Sequence, residues 1–254
     1  MKVLAITQAR MGSSRLPGKI LKQVEGKTLL EIHIARILLS EKIDKLIVAT
    51  TTNESDLVIV EVLSKLGVDC YRGSESDVLD RFYKAAEPET PDYVVRFTSD
   101  CPLLDPHLID AVIVRCVNGE YDYTSNARIP TYPDGLDVEV FTFAALKKSW
   151  VEAKSLVARE HVTPYMWENS TLQGKSMFTS CSFENDIDLS HHRITVDTPE
   201  DLIVIETLIK KLGVDRKWMD YVNYLEQNRE VFKINSHLIR NKLSHTPLGD
   251  NNNG

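Results

Sequence analysis

"KVLAITQARMGSSRLPGK", Lys2 to Lys19, opens as a short apolar run and passes into a loop with two glycines, two serines and the cations Arg10, Arg15 and Lys19. A short β-branched and apolar run bounded by polar residues reads as a buried strand. The loop behind it has the composition of a phosphate cradle: glycines let backbone N–H groups approach oxygens closely, and cations offset their charge. Its spacing is neither G-x-x-x-x-G-K-[ST], because Ile20 follows Lys19, nor G-x-G-x-x-G. Taken alone, the loop fits a phosphate site and a solvated basic turn equally well.

Working outward, "KLIVAT" (45–50) and "YVVRF" (93–97) repeat the strand pattern, with helical patterns between them. "LLEIHIARILLS" sets Leu30, Ile34, Ile37 and Leu38 on one face, and "SDLVIVEVLSKLG" stops at Gly67. Residues 76–87 and 106–117 read as two more helices, the second with Asp105 as N-cap and Pro106 in its first turn. This alternation predicts an α/β fold: a mostly parallel sheet flanked by helices on both faces, with ligands beyond the carboxyl ends of the strands. From about Gly119 the rhythm breaks, and "RITV" followed by "TPEDLIVIETLIKKLG" restores it as strand and helix. The expected organisation is one domain over 1–240, with a core of 1–118 and 191–227, a smaller inserted subdomain at 119–190, and a flexible tail at 241–254.

A chain of 254 residues, 43% hydrophobic and 26% charged, is long enough for a full core. Its net charge of −7 argues against coating nucleic acid or an anionic membrane, so no nucleic-acid or membrane partner is expected. Cys70, Cys101, Cys116 and Cys181 form no C-x-x-C pair and read as buried free thiols. Val3–Ile6 is too short for a signal-peptide core, and no run reaches membrane-spanning length, so a cytoplasmic location is expected.

"RFTSDCPLLDP" sets Asp100 just past one strand, and "HHRITVDTPEDL" sets Asp197 just past another. Both carboxylates thus belong at one sheet edge, near the basic loop, where phosphate and two carboxylates suit Mg2+. Each aspartate also reads as a turn or helix cap, while Glu200 and Asp201 read as first-turn helix charges. Asp134, Asp137 and Glu139 in "PDGLDVEVF" read as acceptor ligands or as a solvated edge strand. Arg159, Glu160 and His161 read as opening a helix that breaks near Pro164, at an acceptor site or on a polar face. Asp186-x-Asp188 matches the D-x-D metal motif of glycosyltransferases but lies in a polar turn-rich stretch. His191 and His192 lack the spaced partners of a zinc site.

Together, "ITQARMGSSRLPGK", "GKTLLEIHIAR", "VATTTNESD", "FTSDCPLLDP" and "ITVDTPEDL" resemble the cytidylyltransferase family of CMP-sialate and CMP-KDO synthetases, nearest its spore-coat-polysaccharide branch, over roughly residues 1 to 227. The resemblance implies a Rossmann-like, GT-A-like nucleotidyltransferase that joins CTP to an acidic or amino sugar and releases pyrophosphate. By motif, Arg10, Arg15 and Lys19 would hold the triphosphate with Gly12 and Ser13. Asp100 and Asp197 would hold Mg2+, and the backbone of Gln8, Ala9, Arg10 and Met11 would help read the base. Ser74 would lie near the base or acceptor, and the inserted segment would support a homodimer. Guanylyl or uridylyl transfer to a sugar 1-phosphate, nucleotide-sugar-dependent glycosyl transfer through Asp186 and Asp188, and non-catalytic nucleotide sensing stand as alternatives.

Overall fold

The computed structural model describes residues 1–13 and 15–240. The expectation of a flexible tail at 241–254 lies outside the described residues. In chain order the strands are β1 (Val3–Gln8), β2 (Gln23–Val24), β3 (Lys27–Thr28), β4 (Lys45–Thr51), β5 (Asp69–Gly73), β6 (Tyr93–Thr98), β7 (Tyr123–Ser125), β8 (Glu139–Thr142) and β9 (Ser180–Ser182). The helices are α1 (Leu29–Ile37), α2 (Leu57–Leu66), α3 (Val78–Ala86), α4 (Pro106–Asn118), α5 (Phe143–Glu152), α6 (Leu156–His161), α7 (Pro164–Glu168), α8 (Pro199–Leu212), α9 (Trp218–Gln227) and α10 (Arg229–Asn235).

Seven strands form one sheet in the order β5-β4-β1-β6-β8-β7-β9, while β2 and β3 make a separate hairpin. The pairs β1/β4, β1/β6, β4/β5 and β7/β9 run parallel; β8 runs antiparallel to both of its neighbours. The fold is therefore a mostly parallel sheet flanked by helices. Alternate residues of β1 face opposite layers: Val3 and Ala5 meet Leu30, Ile59, Ile109 and Val204 in one core, whereas Leu4 and Ile6 meet Leu79, Phe82 and Met166 in the other. Burial on both faces is why β1 reads as a continuous apolar run rather than an alternating one.

Local chemistry starts and stops the helices. Thr28 and Glu31 form a reciprocal capping box on α1, Thr198 and Asp201 do the same on α8, and Asp105 caps α4. Gly67, left-handed at φ 67°, ends α2. Leu38, expected on the apolar face of α1, instead follows its last turn and is exposed.

Three further expectations are corrected. "RITV" is not a strand: it is buried extended chain between two loops, Ile194 N–H donating to Asp134 O at 2.8 Å and Val196 N–H to Asp100 O at 2.8 Å. β-Branched residues favour any buried extended path, so composition alone does not separate this from a strand. Arg159, Glu160 and His161 close α6 rather than open a helix, the break coming at Val162 with φ 71°. Asp137 and Glu139 do not form a solvated edge, because β8 lies between β6 and β7 and Glu139 is buried.

Gly135 brings the loop before β8 against that extended segment. Its φ is 107°, and a Cβ there would lie 2.6 Å from the backbone carbonyl of Ile194 and 2.7 Å from Thr195 N. Only glycine lets the two chains approach this closely.

Candidate active site

β1 and β6 end side by side, and the loops beyond them converge. Leaving β1, Ala9 N–H donates to Ala49 O at 3.2 Å and Met11 N–H to Asp56 Oδ1 at 2.8 Å. Asp56 also takes the Thr51 hydroxyl at 2.5 Å, so a buried carboxylate from outside the loop fixes its first turn. The Ser13 and Gly18 N–H groups both close back on Met11 O. The loop then delivers Lys19, whose mostly buried ammonium donates to Asp100 Oδ2 at 3.1 Å and to Asp197 Oδ1 at 2.8 Å. Arg15, half exposed, reaches Asp197 Oδ2 at 3.2 Å. Both aspartates therefore meet the basic loop.

Burial alone would lower the Lys19 pKa, but Asp100 and Asp197 outweigh it and raise the value. Burial likewise pushes Asp100 up, yet Lys19 and the Thr98 hydroxyl hold it well below the usual carboxylate range. The site is thus a set of ionised, mutually compensated groups, and one ammonium spans two carboxylates that come from different loops. Asp100 is tied down by its backbone, whose carbonyl accepts the Thr195 hydroxyl at 2.9 Å and the Val196 N–H. That leaves both side-chain carboxylates as hard oxygen donors at one point, a set that suits Mg2+ completed by phosphate and water.

Arg10 turns away from this cluster to Glu75 Oε1 at 3.1 Å, which draws the 74–75 turn over Gly12. Ser74 is half-buried there, its hydroxyl accepting Asp77 N–H at 3.1 Å. Gln8 accepts from Arg96 Nη2 at 3.4 Å, which starts a second cluster. In it, Glu139 accepts from Arg96 Nη1 and from Tyr123 Oη at 2.5 Å each, and from Thr163 Oγ1 at 2.8 Å, with Arg128 at 3.6 Å. Burial pushes Glu139 up, but Arg96 and Arg128 prevail and lower its pKa. His161 faces the same cluster; burial and then Arg96 lower its pKa.

Asp137 binds Arg240, and Asp134 binds Arg193. Burial, and after it Asp137, raises the Asp134 pKa to about 7. Of the proposed acceptor residues, Asp137 feels the charges of Asp100 and Glu139, and His161 feels those of Arg96, Arg128 and Glu139. Arg159 is engaged with Asp77 at 2.5 Å and the Trp150 carbonyl at 2.7 Å, and Glu160 is exposed. Asp188 accepts Ser190 N–H at 2.9 Å, an ordinary turn cap that meets none of the loop cations among the described residues.

Two contributors carry no motif signal. His33 on α1 is fully buried: its Nδ1 donates to Cys101 O at 2.8 Å, so its Nε2 accepts from the Thr7 hydroxyl at 2.8 Å. It links the ends of β1 and the β6 loop, and burial lowers its pKa to about 4. Arg193 stands inside the quoted "HHRITVDTPEDL", but pairing with Asp134 across 59 residues is invisible to local spacing.

A family profile described as cytidylyltransferase matches residues 4–239. An uncharacterized protein of Methanocaldococcus jannaschii, MJ1063, is 40% identical over 243 residues, covering 94% of this chain and 96% of that one. Spore coat polysaccharide biosynthesis protein SpsF of Bacillus subtilis is 33% identical over 221 residues, 83% of this chain and 88% of its own. Among solved structures, a cytidylyltransferase from Leptospira borgpetersenii superposes with a TM-score of 0.85 at 32% identity, covering 91% of this chain and 97% of that one.

Proposed function

This chain belongs to the cytidylyltransferase family and is a nucleotidyltransferase, and on that premise we propose that it transfers a cytidylyl group from CTP to an acidic or amino sugar for surface polysaccharide or glycan assembly. The observation that carries the reading is the Lys19 ammonium held between Asp100 and Asp197, with Arg15 on the second of these. Cations for a triphosphate and carboxylates for its counter-ion stand at one point beyond the sheet edge.

In this reading Arg15 and Lys19 grip the triphosphate with the Gly12 backbone, and Arg10 joins them by leaving Glu75 and Ser13 by releasing Met11 O. Gln8 to Met11 and Ser74 border the base. Asp137 and His161 line the acceptor side, and Glu139, enclosed by Arg96, Tyr123, Thr163 and Arg128, holds that side in shape. Asp100 and Asp197 hold Mg2+, which supplies charge neutralisation to the triphosphate when bound. A sugar oxygen attacks the α-phosphorus, the α–β bridging P–O bond breaks, and Lys19 and Arg15 stabilise the departing pyrophosphate. The attacking hydroxyl's proton leaves to solvent or a neighbouring carboxylate. Positioning and fixed charge do the work, and no covalent enzyme intermediate is needed. Exposed Leu156 and Val157 at the start of α6 fit the dimer expected of the inserted segment, and light scattering checks it.

The test is pyrophosphate release with CTP, UTP, GTP and ATP, each against sugar acids, amino sugars and sugar phosphates, with Mg2+ present. Release with CTP and a sugar acid or amino sugar is expected. Release with GTP or UTP and a sugar 1-phosphate alone would move the base, and silence with every pair would sink the proposal.

A further inference from the structure

Asp197 is gripped from two sides. Lys19 takes its Oδ1, while its Oδ2 faces Arg15 and, at 3.4 Å, Nη2 of Arg193. Arg193 is almost wholly buried. Its Nε and Nη2 donate as a fork to the two oxygens of Asp201 at 2.8 and 2.9 Å, and its Nη1 donates to Asp134. Asp201 is itself fully buried, and its Oδ2 accepts the N–H groups of Asp197 at 2.9 Å and Thr198 at 3.0 Å. From α10, Asn235 Nδ2 closes the network on Arg193 O at 3.1 Å and Asp201 Oδ1 at 3.0 Å. One guanidinium thus touches the side chain of Asp197, the carboxylate that holds its backbone, and the Asp134 turn seated by Gly135.

We propose that Arg193 is a positioning residue for the reaction: it contacts no substrate but fixes the Asp197 carboxylate to receive a cation, and it couples that carboxylate to the Asp134 turn. The inference rests on the reading that Asp197 holds the ion bound with the triphosphate. The chemistry calls for arginine, because a planar fork serves two oxygens of Asp201 while its remaining nitrogen serves Asp134; a lysine ammonium presents a single point. Partners behind a metal-binding carboxylate set its orientation, and their loss characteristically weakens metal affinity about 10- to 100-fold.

The full chain is compared with Arg193→Lys, Arg193→Gln/Asp201→Asn and Asp197→Asn. The readouts are thermal midpoint, Mn2+ affinity by electron paramagnetic resonance with an α,β-methylene CTP analogue, and kcat and KM. Arg193→Lys is expected to weaken Mn2+ binding about tenfold or more and to lower kcat in similar proportion, with KM for CTP nearly unchanged. The double variant removes Arg193 together with its fork partner Asp201 and leaves Asp134 to Arg240, so the loss of stability is expected to be smaller than for Arg193→Lys while Mn2+ affinity stays low. Wild-type Mn2+ affinity and kcat in both Arg193 variants, whatever their midpoints, would overturn the proposal. If Asp197→Asn alone loses Mn2+, the reading of Asp197 stands and the role of Arg193 falls. If Asp197→Asn binds Mn2+ like the wild type, the reading of Asp197 fails, and the inference built on it fails too.

Discussion

The two charged clusters both pair carboxylates with cations and differ in how freely their groups can be exchanged. Around Lys19, each contact joins one loop group to another, and Arg15 and Asp197 keep access to solvent. Around Glu139, side chains on β6, β7 and β8 meet in the sheet interior, and the carboxylate is closed in by Arg96, Tyr123, Thr163 and Arg128. The first cluster can trade internal partners for an incoming anion and cation with little rearrangement. The second is desolvated, so breaking one partner strands another. On the proposed reading, ligand exchange belongs to the loops, and shape belongs to the strands.

Substitution breaks the comparison most sharply at its two poles. Asp197→Asn should lower kcat/KM for pyrophosphate release about a thousandfold, the scale of removing one fixed transition-state contact, with a small change in urea midpoint. Glu139→Gln should do the reverse, costing about 3–5 kcal/mol of stability by urea titration because Arg96 loses its buried carboxylate. A Glu139→Gln protein as stable as wild type would erase the distinction.

His33, which ties the two loop bases together, sharpens it through pH. The fold lowers its pKa from 6.5 to about 4, so the unfolded chain takes up a proton that the folded chain refuses. Its contribution is complete above about pH 6.5, shrinks as pH falls toward 4, and totals about 3 kcal/mol at roughly 1.4 kcal/mol per unit. Urea midpoints of wild type and His33→Asn should converge over that window. Parallel curves would place the titration elsewhere.

Smaller effects belong to the periphery of the exchangeable cluster. Arg15→Ala, removing a half-exposed cation, should raise KM for CTP about tenfold in steady-state assays, with kcat less affected. Asp188→Asn, beyond reach of the loop, should leave turnover within twofold of wild type.

What the sequence shows follows the same division. The basic loop, Asp100 and Asp197 are legible because each immediately follows a short apolar segment, and chain order places such residues at one edge. Glu139 is legible as a candidate but not as a buried hub, because the antiparallel insertion of β8 between β6 and β7 is a long-range event. Arg159 reads as an acceptor ligand from its segment alone, and its pairing with Asp77, from another helix terminus, is a long-range contact that spacing does not encode. "RITV" has strand composition, yet its hydrogen bonds go to two loops, and residue preference does not encode which partner an extended chain finds.

The turn at Gly135 carries a practical corollary. In a saturation screen scored by activity, this position should reject every side chain as stringently as Asp197 does, for a backbone reason alone. A map of intolerant positions would therefore enclose a silent member, and only biophysical assays of the rejected variants would tell a misfitted backbone from a missing reactive group.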